Sequence, residues 1–327
     1  MKSKEPLTLQ QTVIYFSDYE NCHRFMMELR WPDGNVTCPR CGSDDVQWLP
    51  NARVFKCYQK HEKQKFSLKV GTIFEDSPIA LEKWLVAVWL VVNCKNGISS
   101  YEIHRDLGIT QKSAWFMAHR IRRALQGDGI VKLGGPNSTV EVDETYIGGK
   151  ARNMHAVVRR RRNVKDIGAK AMVMGAVERG GKVYAKVVAN RKKETIKDVI
   201  FPVIEQGTTV HTDEFPAYVF AARDAAFEHQ VVNHLERYVD GNVHTNGIEN
   251  FWSCLKRGLG GTYIAVEPFH LFRYVDEQAF RFNNRATKDN PLNDADRFTL
   301  AMSQIVGKRL TYEELTGKTE AAGSPAF

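Results

Sequence analysis

Three acids, Asp143, Asp213 and Glu249, stand in surroundings where acids are seldom found by chance. Val140-Glu141-Val142-Asp143 is an apolar strand that carries carboxylates, and its two-residue repeat puts Val140 and Val142 on one face and Glu141 and Asp143 on the other. A buried acid is costly, so an acid on a central strand needs a cation or a role. Thr209-Val210-His211-Thr212-Asp213 repeats the arrangement, a short strand ending in an acid. Glu249 belongs to a helical segment, Asn246 to Lys256, where Glu249, Trp252 or Ser253, and Lys256 recur on one face. Phosphodiester cleavage has charge to stabilise on both the attacking and the leaving oxygen. Two Mg²⁺ or Mn²⁺ ions gripped by hard carboxylate oxygens can do this. Lys256 could hold a phosphate beside them, with Arg257 also facing DNA. Without metal, three close carboxylates would repel one another. Any one of the acids alone would be read as a surface ion pair, but that is the poorer account of all three.

A second set of donors is softer. Cys38-Pro39-Arg40-Cys41-Gly42 lets two thiolates face one tetrahedral ion, and Cys57 and His61 follow after 15 intervening residues. Cys38, Cys41, Cys57 and His61 fit a closed structural Zn²⁺ site. Lys60 sits where a two-residue spacing would place a cysteine, so His61 must reach one residue further. A segment of about 35 residues has little core, and metal would decide whether it folds.

These groups need elements to hold them. The chain opens on a helix, with Ser17 and Glu20 as a capping box, before Pro32 and Gly34 break it. Ser77-Pro78 predicts the start of a buried helix through Trp84 and Trp89 to Asn93. Ile98 to Leu125 has the helix-turn-helix pattern, with Gly108 in the turn and Thr110 as cap. Its second helix presents Gln111, Lys112 and Ser113 to DNA, supported by Arg120, Arg122 and Arg123. A glycine-rich stretch, 127–136, marks a linker. Strands are predicted at Thr139–Tyr146, Ala171–Glu178, Lys182–Ala189, Thr208–Thr212 and Val231–Val232. Helices are predicted at Lys193–Gln206, Gly247–Gly258 and Pro268–Asn283.

Over its 327 residues the chain is 43% hydrophobic and 26% charged, as ordinary globular proteins are, with no signal-like leader or apolar run long enough to span a bilayer. A cytoplasmic location, at the nucleoid when bound to DNA, is expected. The net charge of +8 favours a polyanionic partner. From Lys150 to Lys170 there are eight Lys or Arg and one Asp, including the run Arg159, Arg160, Arg161 and Arg162, which we read as DNA-facing.

The order Asp143, Asp213, Glu249, with 35 residues between the last two, resembles that of DDE transposases and retroviral integrases. The segments Cys38–Gly42, Val70–Ser77, Val142–Lys150, His211–Glu214, His244–Trp252 and Phe280–Arg285 resemble the bacterial insertion-sequence transposases related to Merlin elements, the ISXO2-like group. The resemblance implies a multidomain α+β protein: a small zinc ribbon, a helix-turn-helix region, and an RNase H-like catalytic domain with a mixed five-stranded sheet. The expected divisions are 1–75 (N-terminal helix and ribbon), 76–130 (helical, DNA-binding), 137–290 (catalytic) and 291–327 (tail). It places Asp143 on the first strand of the sheet, Asp213 after the fourth and Glu249 on the following helix. Some relatives use asparagine or histidine as third ligand, which makes Asn246 a rival to Glu249. The implied partners are terminal inverted repeats and target DNA, bound by a homodimer or larger assembly with two Mg²⁺ or Mn²⁺ ions per active site. Tyr146 and Tyr218 lack the Arg and His surroundings of a recombinase nucleophile. The alternatives are a domesticated transposase that regulates through DNA binding without cleavage, against which the three intact acids argue, and a host nuclease or resolvase.

Overall fold

The computed structural model describes residues 6–127, 131–149, 170–225, 227–232, 244–288 and 290–318. The basic stretch containing Arg159 to Arg162 lies outside the described residues. The chain divides into two units: residues up to Gly127 together with those from Asn284 onward, and Asp128–Asn283.

The first unit opens with two helices, α1 (Leu9–Phe16) and α2 (Tyr19–Arg30). The N-cap of α2 is Asp18, whose carboxylate accepts from the Glu20 amide, while the Ser17 hydroxyl donates to the Ile14 carbonyl at the end of α1. The expected capping box of Ser17 and Glu20 does not form, and Asp18 caps α2 by itself. A three-stranded antiparallel ribbon follows: β1 (Val46–Leu49), β2 (Val54–Cys57) and β3 (Lys65–Phe66). Trp31, Trp48, Phe55 and Phe66 pack ring to ring across it. Helix α3 (Leu81–Asn93) has nine buried residues, in keeping with its nearly all-round apolar sequence. It starts later than Ser77-Pro78 predicts. The Ser77 hydroxyl accepts from the Ile79 amide and the Trp84 indole, closing a local turn before the helix can begin.

Helices α4 (Ser100–Leu107) and α5 (Gln111–Leu125) flank Gly108, which has φ +57°, and Thr110 caps α5 by accepting from the Ser113 amide. The segment from 291 onward, expected to be a tail, is folded into this unit as far as it is described. Asn293 caps a helix, Asp294–Met302, and the Asp294 carbonyl accepts from Asn93 of α3. The buried Lys308 ammonium donates to the Ala124 and Gln126 carbonyls, where α5 leaves backbone acceptors without helical partners.

The second unit is a mixed sheet with helices on both faces. Its strands are β4 (Leu133–Gly134), β5 (Thr139–Ile147), β6 (Ala171–Glu178), β7 (Val183–Val188), β8 (Ile204–Glu205), β9 (Thr209–Asp213) and β10 (Glu228–Val232). Five of them form one sheet in the order β10-β9-β5-β6-β7, and β4 pairs separately with β8. β5, β6 and β7 run as an antiparallel meander, whereas β9 lies parallel to β5 and β10 parallel to β9. This is the mixed five-stranded sheet the resemblance implied.

Helices α6 (Lys193–Val199) and α7 (Pro216–Asp224) cover one face, joining Val140, Val142, Met174 and Ala176 in one core. Helices α8 (Asn246–Arg257) and α9 (Leu271–Asn283) cover the other, packing Ile248, Phe251, Trp252 and Tyr274 on Val173 and Val177. Helix α6 is half the predicted length. Pro202 has no amide to continue it, so the chain makes a short 3₁₀ turn, Phe201–Val203, and then β8. Among the described residues no helix is long and apolar enough to cross a membrane.

Candidate functional site

The acids meet because of strand register. β5 and β9 pair in parallel with Glu141 opposite His211, so two residues further along Asp143 comes level with Asp213. The β9 strand ends there: the Asp213 carboxylate accepts from the Phe215 amide and turns the chain into α7. One carboxylate oxygen each from Asp143, Glu144 and Asp213 lies within 4.8 Å of the others.

Asp143 faces α8, where the Trp252 indole donates to it at 3.0 Å. That approach needs Gly175 on β6, because a Cβ there would stand 2.8 Å from the Trp252 ring. Burial first, then the neighbouring Glu144 and, more weakly, Asp213 push the Asp143 carboxyl up to about 7, against the opposing hydrogen bonds from the Glu144 backbone and Trp252. Glu144 points to the other side of the strand. The Tyr218 hydroxyl donates to it at 2.6 Å and Arg191 at 2.9 Å, with the guanidinium stacked 3.9 Å over the Phe215 ring. Tyr218 is fully buried, and its phenol is held well above its ordinary range by burial and by Glu144. Such a phenol does not ionise to become a nucleophile.

Glu249 is not part of this group. Its side chain is exposed and accepts from the Thr245 hydroxyl at 3.1 Å, one turn of α8 before Trp252. Asn246, Lys256 and Arg257 are likewise exposed, at the first and last turns of the same helix. The structure thus gathers Asp143 and Asp213 and leaves the third predicted acid on a helix that already touches Asp143. Glu144 was missed from sequence. Strand alternation sends it to the face opposite Asp143, and only its repeated setting, Asp143-Glu144 beside Asp213-Glu214, hinted at a shared acidic rim.

In the ribbon, Cys38, Cys41, Cys57 and His61 each bring a donor atom within 4.8 Å of the others. Cys38 Sγ stands 3.6 Å from His61 Nε2, and Cys41 Sγ 3.6 Å from Cys57 Sγ. Around tetrahedral zinc, with bonds of about 2.0–2.3 Å, donors sit about 3.5–3.8 Å apart, so this set has the right size for that ion.

The helix-turn-helix residues divide. Lys112 is exposed, over the Tyr312 ring. Gln111 donates to Ser100 of α4, and Ser113 is engaged with Thr110 in capping α5. Arg120 and Arg122 are 3% and 2% exposed, so they do not present charge to DNA. Arg120 donates to the Glu75 carbonyl and lies against Trp84 and Phe116, a buried cation held by aromatic faces. Their basic sequence reads as a DNA-facing stripe only if the helix were more exposed on that side.

Comparison with known proteins adds the following. The family model described as "ISXO2-like transposase domain" matches residues 132–283, and that described as "Transposase zinc-ribbon domain" matches residues 17–59. A protein of Halobacterium salinarum, described as "Uncharacterized protein in transposable element ISH50", is 30% identical over 244 residues, covering 72% of this chain and 81% of that protein. The solved structure titled "Crystal structure of the Mos1 Strand Transfer Complex" aligns over 86% of this chain and 97% of that chain at 11% identity, with a TM-score of 0.24.

Proposed function

Because the chain belongs to the ISXO2-like transposase family, we propose that it binds the terminal inverted repeats of an insertion sequence, cleaves DNA at the element end and transfers the freed strand into target DNA. The observation that carries this reading is the convergence of Asp143 and Asp213 from neighbouring parallel strands. In this reading water attacks a phosphodiester, a P–O bond forms as the bond to the 3′-oxygen breaks, and the new 3′-hydroxyl then attacks a target phosphodiester in the same way. No covalent protein–DNA intermediate is needed.

Hard oxygen donors close enough to repel, one of them protonated more readily than an ordinary carboxyl, suit a divalent cation. A pair of Mg²⁺ or Mn²⁺ ions held by Asp143, Asp213 and Glu249 would stabilise charge on the attacking and leaving oxygens. Glu144 keeps Arg191 and Tyr218 against the acidic rim. Trp252 orients the Asp143 carboxylate and shields it from water. Glu249 joins by leaving Thr245, a side-chain rotation on a fixed helix. Asn246 is the competing third ligand from the same first turn. Lys256, Arg257 and Lys112 contact DNA phosphates, and zinc in the Cys38, Cys41, Cys57 and His61 set holds the ribbon together. Joining two ends calls for at least two copies of the chain.

The test is a joining assay with purified protein, Mg²⁺ and linear DNA carrying the element ends. The wild type is expected to give nicked and joined products, and Asp143→Asn and Asp213→Asn to lose about 10²–10³-fold in rate or more, as removal of a principal electrostatic group does. Normal joining by both variants would refute the assignment. Specific end binding without any cleavage by the wild type would instead support a DNA-binding regulator, the reading that the solvent-facing Glu249 favours.

A further inference from the structure

Glu141 is fully buried, on the same face of β5 as Asp143 and two residues before it. A buried carboxylate is tolerated only when its oxygens are matched by donors. One oxygen accepts from Arg179 Nε at 3.0 Å and lies 3.2 Å from His244 Nδ1. The other accepts from the backbone amides of Gly247 at 2.7 Å and Ile248 at 3.1 Å. Those are first-turn amides of α8, the groups that a helix leaves without internal partners. The residue at the N-cap position, Thr245, makes no side-chain cap and donates to Glu249 instead. The cap of α8 is therefore supplied from another strand, by a charge that also suits the helix N-terminus.

Arg179 extends the arrangement. Its Nη2 donates to the His244 carbonyl at 3.0 Å and meets His211 Nδ1 at 3.2 Å. An arginine can only donate, so Nδ1 of His211 accepts and that ring's proton sits on Nε2. His211 pairs with Glu141 in the β5–β9 ladder and precedes Asp213 by two residues, as Glu141 precedes Asp143. One guanidinium thus ties both acid-bearing strands, one rung below their acids, to the start of the helix that carries Glu249. The fit is close: a Cβ on Gly247 would stand 2.8 Å from the Glu141 carboxylate and 3.3 Å from Val177.

Buried ion pairs seldom add stability over apolar residues of like volume, so stability alone does not account for this one. It does select a register. Sliding α8 by one residue, about 1.5 Å, would break both amide bonds to Glu141. We infer that Glu141, locked by Arg179, is the positioning residue that sets α8, and with it Glu249, against the strands carrying Asp143 and Asp213. This rests on the proposed role of those three acids.

The experiment is a double-mutant cycle on the full chain, read as Mn²⁺ affinity by titration without DNA, with melting temperature recorded alongside. Glu249→Gln, which removes a ligand, is expected to weaken Mn²⁺ binding at least about tenfold, and Glu141→Gln to weaken it about tenfold, as loss of an outer-sphere partner does. The double variant should be no weaker than Glu249→Gln alone, because Glu141 acts through Glu249. A folded Glu141→Gln protein with Mn²⁺ affinity within about twofold of wild type, or a double variant whose loss is the product of the two single losses, would overturn the inference. Should Glu141→Gln not fold, Arg179→Lys, which keeps charge but loses the planar grip, takes its place in the cycle. Failure of both to fold would overturn it too, since the pair would then be holding the fold rather than the register. If Asp143→Asn leaves Mn²⁺ binding unchanged, it is the underlying reading of the acids that falls.

Discussion

The two donor clusters of this chain differ in how completely they are assembled. In the ribbon, three thiols and an imidazole already stand at the spacing of a tetrahedral ion, with Cys38 and Cys57 buried. In the sheet unit, Asp143, Glu144 and Asp213 are together, but Glu249 waits on Thr245. A closed set with every position taken by protein can do no more than hold structure. An incomplete set of hard oxygens, on a rim lined by Arg191 and Trp252, leaves positions for substrate. The contrast separates a metal that builds the fold from one that would serve chemistry.

The largest effect should come from the ribbon. Structural zinc is worth about 10–16 kcal/mol in small peptide sites. Removing zinc with a strong chelator, or substituting Cys38→Ser, should expose the amides of β1, β2 and β3 to rapid hydrogen exchange. Removing Mg²⁺ should leave the sheet unit protected. If zinc removal leaves ribbon protection intact, the two clusters are not different in kind.

A smaller effect is expected at Gly175. Alanine there must displace the Trp252 ring, and overpacking of this sort costs about 1–3 kcal/mol. Gly175→Ala should lower the melting temperature and also slow joining, because Trp252 holds Asp143. A loss of stability with an unchanged joining rate would show that the indole does not orient the acid.

The third effect is a pH dependence confined to the sheet unit. Asp143 holds its proton up to about 7 in the folded chain, against 3.8 for an ordinary aspartate. Between those values the folded state carries the extra proton, so stability falls as pH rises from about 4 to about 7 and stays lowered above that. Without divalent cation, Asp143→Asn should therefore melt higher than wild type at about pH 8, with no difference near about pH 3. Equal melting at the higher pH would mean that the acidic rim stores no repulsion.

Much of this was legible in the sequence because it depends on local periodicity. Alternation along Val140–Asp143 assigned Asp143 to a face, and the spacing of Cys38, Cys41, Cys57 and His61 described a tetrahedron. What escaped depends on partners remote in the chain. Glu141 was recognisable as a strand acid, but its meaning comes from Arg179, 38 residues on, and Gly247, 106 residues on. Arg120 and Arg122 carry the composition of a DNA-facing helix, yet the aromatic residues that receive Arg120 lie partly on α3. Helix α7 went unseen because small residues, Ala217, Ala221 and Ala222, give it only a faint apolar stripe.

The most direct measurement is a crystal structure of the chain with element-end DNA and Mn²⁺, located by anomalous scattering. The account predicts two peaks about 3.5–4 Å apart, ligated by Asp143 and Asp213, with Glu249 turned away from Thr245 to complete the set. Manganese absent from these acids while DNA is bound beside them, with Glu249 still on Thr245, would contradict it.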